Sequence, residues 1–414
     1  MSIVKPFKAL RPLPKNAEHV ASPPYDVLNS SEARKIAETN PMTFLSVNKP
    51  EIDLPEDTDI YSKEVYQKGA ENLKNMITNG VMKKEDKECF YIYKQLMGEH
   101  EQYGLVALAS VEEYDNDLIK KHEFTRPVKE DDRVNHIDNL NAQVGPVFLT
   151  YKAQPEIDKL ISKITAGQPE IGFMADDEIE HTIWVVNNDA DIKAIQDSFS
   201  KLDALYVADG HHRSAAASRI CKMRKDKNPK HNGNESYNYF LNVIFPDNQM
   251  YIMDYNRVVK DLNGLSKDEF FDKIYDNFSI RRLGPAGFKP MEAHAFIMYM
   301  DKEYFLLEAH EGSFDENDPV SRLDVSILQE NLLAPALGIG DPRKDKRIDF
   351  VGGIRGLEGL TERVDSGEMA VAFALFPTSI EDLMAIADAG KVMPPKSTWF
   401  EPKLRSGLFV HLLD

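Results

Sequence analysis

The run Ala204-Leu205-Tyr206-Val207-Ala208-Asp209-Gly210-His211-His212-Arg213, continued by Ser214-Ala215-Ala216-Ala217-Ser218, decides the fold class. Five apolar residues predict a strand, and the residues from about His212 to Arg224 predict a helix. Gly210 stands where the strand must bend sharply into the helix, a place that favours a residue without Cβ. The first helical N–H groups then point at whatever lies over the turn, with the positive end of the helix dipole behind them. His212 and Arg213 add donors at the same place, and a guanidinium suits forked contacts with phosphate. The alanine run lets the helix pack closely on a sheet.

Working outward, strands and helices alternate. Val147–Tyr151 and His181–Val186 read as strands, and 156–165 and 189–202 as helices. Cys89–Leu96 and Gly104–Val111 read as a hairpin around Met97-Gly98-Glu99. A strand is predicted over 3–10, helices over 32–39 and 61–77, and a strand pair over 237–245 and 250–255. A helix over 267–278 follows, then a hairpin over 295–300 and 304–309. Helices near 323–333 and 380–389 flank a strand over 370–376. The segment 121–143, HEFTRPVKEDDRVNHIDNLNAQ within it, has few apolar residues and reads as a polar loop that is a candidate site. Such alternation with hairpins predicts an α/β fold with a mixed sheet. Three regions are delimited: 1–120, 121–260 and 261–414.

The chain has 414 residues, enough for a full core without staples. Its net charge of −18 argues against nucleic acid or an anionic membrane as the main partner, although a small basic pocket remains compatible with it. The basic run Lys222 to Lys230 is interrupted by Asp226 and Pro229 and has no interleaved aromatics, so it reads as a solvated helix end. Cys89 and Cys221 are the only cysteines, which excludes a disulfide framework and fits a reducing compartment. The first residues do not read as a leader and no apolar run of membrane-spanning length occurs in the sequence, so a soluble cytoplasmic protein is expected.

Three further clusters bear on chemistry. His122 and Glu123, with Thr125, Arg126, Lys129, Arg133 and His136 behind them, place a carboxylate beside basic groups. That is what a hydroxyl-deprotonating base needs when phosphate is the electrophile. The zinc pattern HExxH is absent, because Arg126 stands at its last histidine, and two adjacent helical histidines do not chelate one ion. A magnesium ion (Mg²⁺) held by Asp209 and by substrate phosphates is the more reasonable metal. In Met393-Pro394-Pro395-Lys396-Ser397-Thr398, the prolines stiffen a loop whose lysine, hydroxyls and N–H groups suit an anion. Ser22-Pro23-Pro24-Tyr25-Asp26 is a weaker patch that reads first as a rigid turn.

HEFT with downstream Pro127, Lys129, Asp132 and Arg133, then ADGHHR, then MPPKSTWFEPKLRSGL, resembles a large bacterial family known as domain of unknown function 1015. The pattern runs from Pro23 to Leu408. That family in turn resembles the archaeal free serine kinases, small enzymes with a ParB/sulfiredoxin-like core, which here would be enlarged by α+β insertions. The resemblance implies that Glu123 is the base on a serine hydroxyl. It places Asp209, Gly210, His211, His212 and Arg213 around phosphate, with Lys396, Ser397 and Thr398 also contacting phosphate. His122 and Asp209 join Glu123 as catalytic candidates, and Asp209 is the metal candidate. Arg126, Lys129 and Arg133 are phosphate candidates, and Tyr25, Asp26, Thr125 and His136 are candidates for binding the acceptor.

The expected activity is therefore phosphotransfer to a small alcohol, free L-serine giving O-phosphoserine. The donor is pyrophosphate in preference to ATP or ADP, because phosphate-suited segments can be named and an adenine slot cannot. The chain has no Walker loop and no protein-kinase glycine loop. Two rivals are a ParB-like nucleotide-binding or DNA-associated regulator, and a phosphohydrolase using water in the same pocket.

Overall fold

A computed structural model describes residues 2–413 and resolves the chain into two compact units. Residues 2–250 with 402–413 form the first, and Tyr251–Glu401 the second. The first unit is built on nine strands: β1 (Val4–Lys5), β2 (Phe90–Met97), β3 (His100–Ser110), β4 (Ile119–Lys120), β5 (Val147–Tyr151), β6 (Ile171–Met174), β7 (Ile179–Val186), β8 (Leu205–Asp209) and β9 (Tyr239–Pro246). Their order is β4-β8-β5-β9-β3-β2-β7-β6, with β1 also paired to β3. β8 is parallel to β4 and antiparallel to β5, while β9 is parallel to β5 and antiparallel to β3. The sheet is mixed and the fold is α/β, as the sequence predicts.

One face of this sheet carries a core of Ala107, Leu149, Leu205, Val207 and Ile244, closed by Ile157, Ile195 and Phe199 from the helices Pro155–Thr165 and Asp189–Phe199. Each of the Val, Leu, Ile and Phe side chains among them contributes about 1.5–3 kcal/mol on burial. Three further helices matter for the site: α1 (Lys63–Thr78), α2 (Pro127–Leu140) and α3 (His211–Lys227). Ala217 of α3 belongs to the sheet core, and Ala216 and Ile220 pack on Val134 and Ile137 of α2. The alanine run thus lets α3 lie between sheet and α2. Arg224, Lys225 and Lys227 close its last turn, where cations suit the helix dipole.

The second unit is built on a six-stranded antiparallel sheet: β10 (Tyr255–Val259), β11 (Phe278–Gly284), β12 (Ala295–Met300), β13 (Glu303–Ala309), β14 (Ile348–Gly352) and β15 (Val371–Ala374). The order is β11-β13-β12-β15-β10-β14. Among the described residues, no helix is long and apolar enough to cross a membrane.

Three expectations are corrected. The segment 121–143 is not a loop, because Pro127–Leu140 is helical. Pro127 occupies the first turn, where its missing N–H costs nothing, and Asn141 ends the helix in a left-handed conformation with φ 51°. The helical period is masked because the buried face includes Asp132, Arg133 and His136 beside Val134, Ile137 and Leu140. The strand expected over 3–10 is broken into Val4–Lys5 and Leu10–Pro12, on either side of an isolated bridge from Phe7 to Cys89. Residues 239–246 and 251–253 do not pair with each other, since β9 lies between β3 and β5 while Tyr251–Met253 pairs with Trp399–Glu401. The turn between them is fastened elsewhere: the Tyr103 N–H donates to Gln249 at 2.8 Å, and the Ala153 N–H to Asp247 at 2.9 Å.

His181 shows how residues 402–413 are tied into the first unit. Its ring is fully buried, lies 2.7 Å from the Tyr93 hydroxyl and accepts from Arg405 Nε at 3.2 Å. Burial and the Arg405 charge pull its pKa down to about 3, and burial and Arg133 do the same to His136. These rings are neutral in the folded chain and titrate near 6.5 when it unfolds. Below pH 6.5 the unfolded state therefore binds more protons and stability falls. By pH 5 the loss is about 2 kcal/mol per ring. Thermal unfolding should show a midpoint clearly lower at pH 5 than at pH 7, and an unchanged midpoint would contradict the neutral buried state.

Candidate functional site

The site grows from the end of β8. The register between β8 and β5 shifts between Val207 and Asp209, an irregularity of the kind that re-aims side chains. Gly210 follows with φ 103°, in the region L side chains avoid. A Cβ there would also come within 3.1–3.2 Å of the Arg213 guanidinium. Glycine thus permits both the turn and the fold-back of Arg213. No side chain caps α3, and its first turn holds His211, His212 and Arg213 with no acid. The helix begins with free N–H groups and a cation at the positive end of its dipole, an arrangement that an anion relieves.

Beneath the turn, His122 and His211 meet edge to face with ring centres 4.4 Å apart. Burial pulls His122 down to about 4, against the nearby Asp209 charge and a hydrogen bond to the Val207 backbone. Burial, then His122, hold His211 well below the ordinary histidine value. Two neutral rings result, and His122 Nδ1 and His211 Nε2 are buried without a hydrogen-bond partner among the described residues. Unsatisfied buried ring nitrogens cost about 1–3 kcal/mol each unless a water, an ion or a ligand meets them.

Glu123 is half-exposed, with Oε2 3.7 Å from His211 Nδ1. The Arg126 N–H donates to His212 Nε2 at 3.0 Å, which joins the 122–126 segment to the start of α3. That bond makes Nε2 an acceptor and leaves the ring proton on Nδ1. Burial and the Arg126 charge lower the His212 pKa, in keeping with this neutral form.

Asp209 lies between two cations, with Oδ2 3.7 Å from Lys403 Nζ and 3.6 Å from Arg213 Nη2. Burial pushes its pKa up, but Lys403 and then Arg213 outweigh burial and bring it to about 2. The carboxylate is ionised and still partly exposed. No group of three or more His, Cys, Asp or Glu among the described residues is placed to hold a metal alone. One partly exposed carboxylate beside an uncapped helix start is nevertheless a donor set that fits magnesium if phosphate oxygens complete it.

The remaining candidates divide by location. Thr125 donates its hydroxyl to Glu130 at 2.7 Å, and Lys129 reaches the Tyr61 hydroxyl at 3.2 Å. Arg133 is buried, stacks on the Tyr25 ring at 3.9 Å and binds Asp132 through Nε and Nη2. His136 lies 2.9 Å from the Val47 carbonyl, and Asp26 is exposed. Lys396, Ser397 and Thr398 belong to the second unit. There Lys396 has φ 60°, and its carbonyl accepts from the buried Arg257 at 3.0 Å. Ser397 is buried, donates to the Pro394 carbonyl at 2.7 Å, and accepts at its own carbonyl from Thr378 at 2.9 Å.

Sequence reasoning missed Lys403 and Arg257. Lys403 is quoted within the C-terminal motif, but nothing in its spacing signals that residues 402–413 return to the first unit. Gln95 fixes it there by donating to the Lys403 carbonyl at 2.9 Å. Arg257 sits inside an apolar strand segment with no motif around it. Replacing Lys403 by Met should raise the Asp209 pKa from about 2 towards the ordinary carboxylate range. Carbon-13 carboxyl titration reads this directly, and an unmoved Asp209 would show that Lys403 does not hold its charge.

The family model described as Protein of unknown function (DUF1015) matches residues 4–326, well over half of the chain. No curated protein matches it. Among solved structures, a free serine kinase in complex with AMP aligns with a TM-score of 0.33 at 14% identity, covering 76% of this chain and 88% of that one. A conserved hypothetical protein from Pyrococcus furiosus aligns with a TM-score of 0.33 at 16% identity, over 72% and 93%. SbnI with C-terminal truncation from Staphylococcus aureus gives 0.32 at 12% identity, over 74% and 87%.

Proposed function

We propose, for a chain that belongs to the DUF1015 family, a phosphotransferase that moves a phosphoryl group onto the hydroxyl of a small acceptor, free L-serine, with pyrophosphate as donor. One observation carries the reading. An uncapped helix start, a folded-back arginine and two neutral buried histidines with unsatisfied nitrogens meet beside a half-exposed glutamate. The helix N–H groups and the guanidinium suit phosphate oxygens, the glutamate suits a hydroxyl proton, and His122, whose other ring nitrogen bonds the Val207 backbone, offers an acceptor at Nδ1.

In the proposed reaction the Glu123 carboxylate accepts the acceptor's hydroxyl proton. The freed oxygen forms a bond to phosphorus while the bridging P–O bond of pyrophosphate breaks, and orthophosphate leaves with the electron pair. The α3 N–H groups and the Arg213 guanidinium hold the phosphate oxygens. The neutral His212, with Nε2 accepting from Arg126, keeps an Nδ1–H that a phosphate oxygen would meet as acceptor. Asp209 would hold magnesium, which supplies charge neutralisation on the phosphates when bound. Lys403 keeps Asp209 ionised throughout.

Glu123→Gln keeps the size of the side chain and removes the base, so turnover should fall by about 10²–10⁴-fold with folding intact. Turnover near the wild-type rate would remove Glu123 from this role. The donor is tested by direct competition between equal ATP and pyrophosphate with serine and magnesium present. Pyrophosphate should be consumed first. Depletion of ATP with pyrophosphate untouched would reassign the donor and leave phosphotransfer standing.

A further inference from the structure

The first unit contains a cavity of about 30 Å³ lined by Tyr25, Asn48, Arg133, His136 and Arg213, among others. Asn48 is 4% exposed, and its Nδ2 is buried with no hydrogen-bond partner among the described residues. An orphaned amide donor costs about 1–3 kcal/mol unless something fills its place. The other polar groups show what that something is. Asp132 is saturated, since Arg133 Nε and Nη2 bind one of its oxygens and the Tyr66 hydroxyl binds the other at 3.0 Å. Arg133 therefore has Nη1 left over. The Tyr25 hydroxyl makes no hydrogen bond among the described residues, and burial pushes its pKa up to about 12, so it keeps its proton. Gln143, also on the wall, is fully engaged: Nε2 donates to Tyr239 and Oε1 accepts from Leu241.

The uncommitted groups are thus an amide N–H, a guanidinium N–H and a phenolic O–H, with a second guanidinium, that of Arg213, on the wall. All are donors. The space admits about two water-sized groups, the size of a carboxylate's two oxygens and too small for a phosphate group with four. We infer that this cavity is a carboxylate-binding subsite, formed by Asn48, Arg133 and Tyr25, that seats the carboxylate of an amino-acid acceptor. Arg213 lines this cavity and also folds back over Gly210, so one side chain borders both the acceptor's carboxylate and the phosphate cradle. The inference rests on the phosphotransfer reading only for the word acceptor. It moves Arg133 from phosphate to acceptor recognition and makes acceptor choice depend on a carboxylate.

Calorimetry on the full chain tests it without turnover, using L-serine, L-serinamide, inorganic phosphate and magnesium pyrophosphate as separate probes. The wild type should bind L-serine at least about ten-fold more tightly than L-serinamide, which lacks the anion. Asn48→Asp is nearly isosteric and sets a negative charge where the carboxylate would sit. Asn48→Leu removes the donor. Both should weaken L-serine by about ten-fold or more and leave magnesium pyrophosphate within about two-fold. Circular dichroism on each variant confirms folding, and the serine-to-serinamide ratio of the wild type stands whether or not a variant folds. Equal binding of serine and serinamide, no serine binding, loss of phosphate alone in the variants, or serine binding indifferent to residue 48 would each overturn the subsite. Phosphorylation of serinamide as readily as serine would reject the subsite and keep the kinase. Carboxylate-dependent binding without phosphorylation would do the reverse.

Discussion

The turn at Gly210 is the constraint on which the site depends. A strand one in from the edge of a mixed sheet ends at Asp209, and a seventeen-residue helix starts at His211. Only one residue is available to reverse the chain, and its φ of 103° excludes a side chain at little cost. Everything polar then follows from that geometry. Asp209 leaves the strand at an irregular register, His211 drops beneath the turn onto His122, and Arg213 folds back over the glycine. Electrostatics fills in the rest. The helix start is positive, both histidines are held neutral by burial, and the remaining charges are Asp209, Lys403, Arg213 and Glu123.

Such a centre is not built for stability. Two buried ring nitrogens lack partners among the described residues, and a cation stands at the wrong end of the α3 dipole. The surrounding elements hold it in place: Val134 and Ile137 of α2 against Ala216 and Ile220 of α3, and the sheet core behind Val207. A rigid frame around fixed donors, here the α3 N–H groups and the Arg213 guanidinium, is the condition for electrostatic stabilisation of a charged transition state, because nothing has to reorganise when charge develops.

Much of this was legible in the sequence. The apolar strand before Gly210, the alanine helix after it and the paired His122 and Glu123 are local signals, and local signals survive in one dimension. The α/β class followed from alternation in the same way. Other features were hidden for definite reasons. Helix 127–140 escaped because it buries Asp132, Arg133 and His136, so its inward face does not read as apolar. Asn48 carries no motif, and its meaning lies in an absent partner. Lys403 reaches Asp209 only because residues 402–413 cross back into the first unit, a long-range return that spacing does not encode. The partners of Arg257, likewise, are backbone carbonyls rather than residue types.

The central claim is that a hydroxyl oxygen of the acceptor attacks phosphorus in the cradle above His122 and His211. Oxygen labelling tests it most directly. L-Serine carrying oxygen-18 in its hydroxyl is incubated with the wild-type protein, magnesium and pyrophosphate in ordinary water, and the products are read by phosphorus NMR. The account predicts O-phosphoserine with the label retained in the carbon–oxygen–phosphorus bridge and an equal amount of unlabelled orthophosphate. Orthophosphate alone, with serine recovered unchanged, would show that water is the nucleophile and contradict the account.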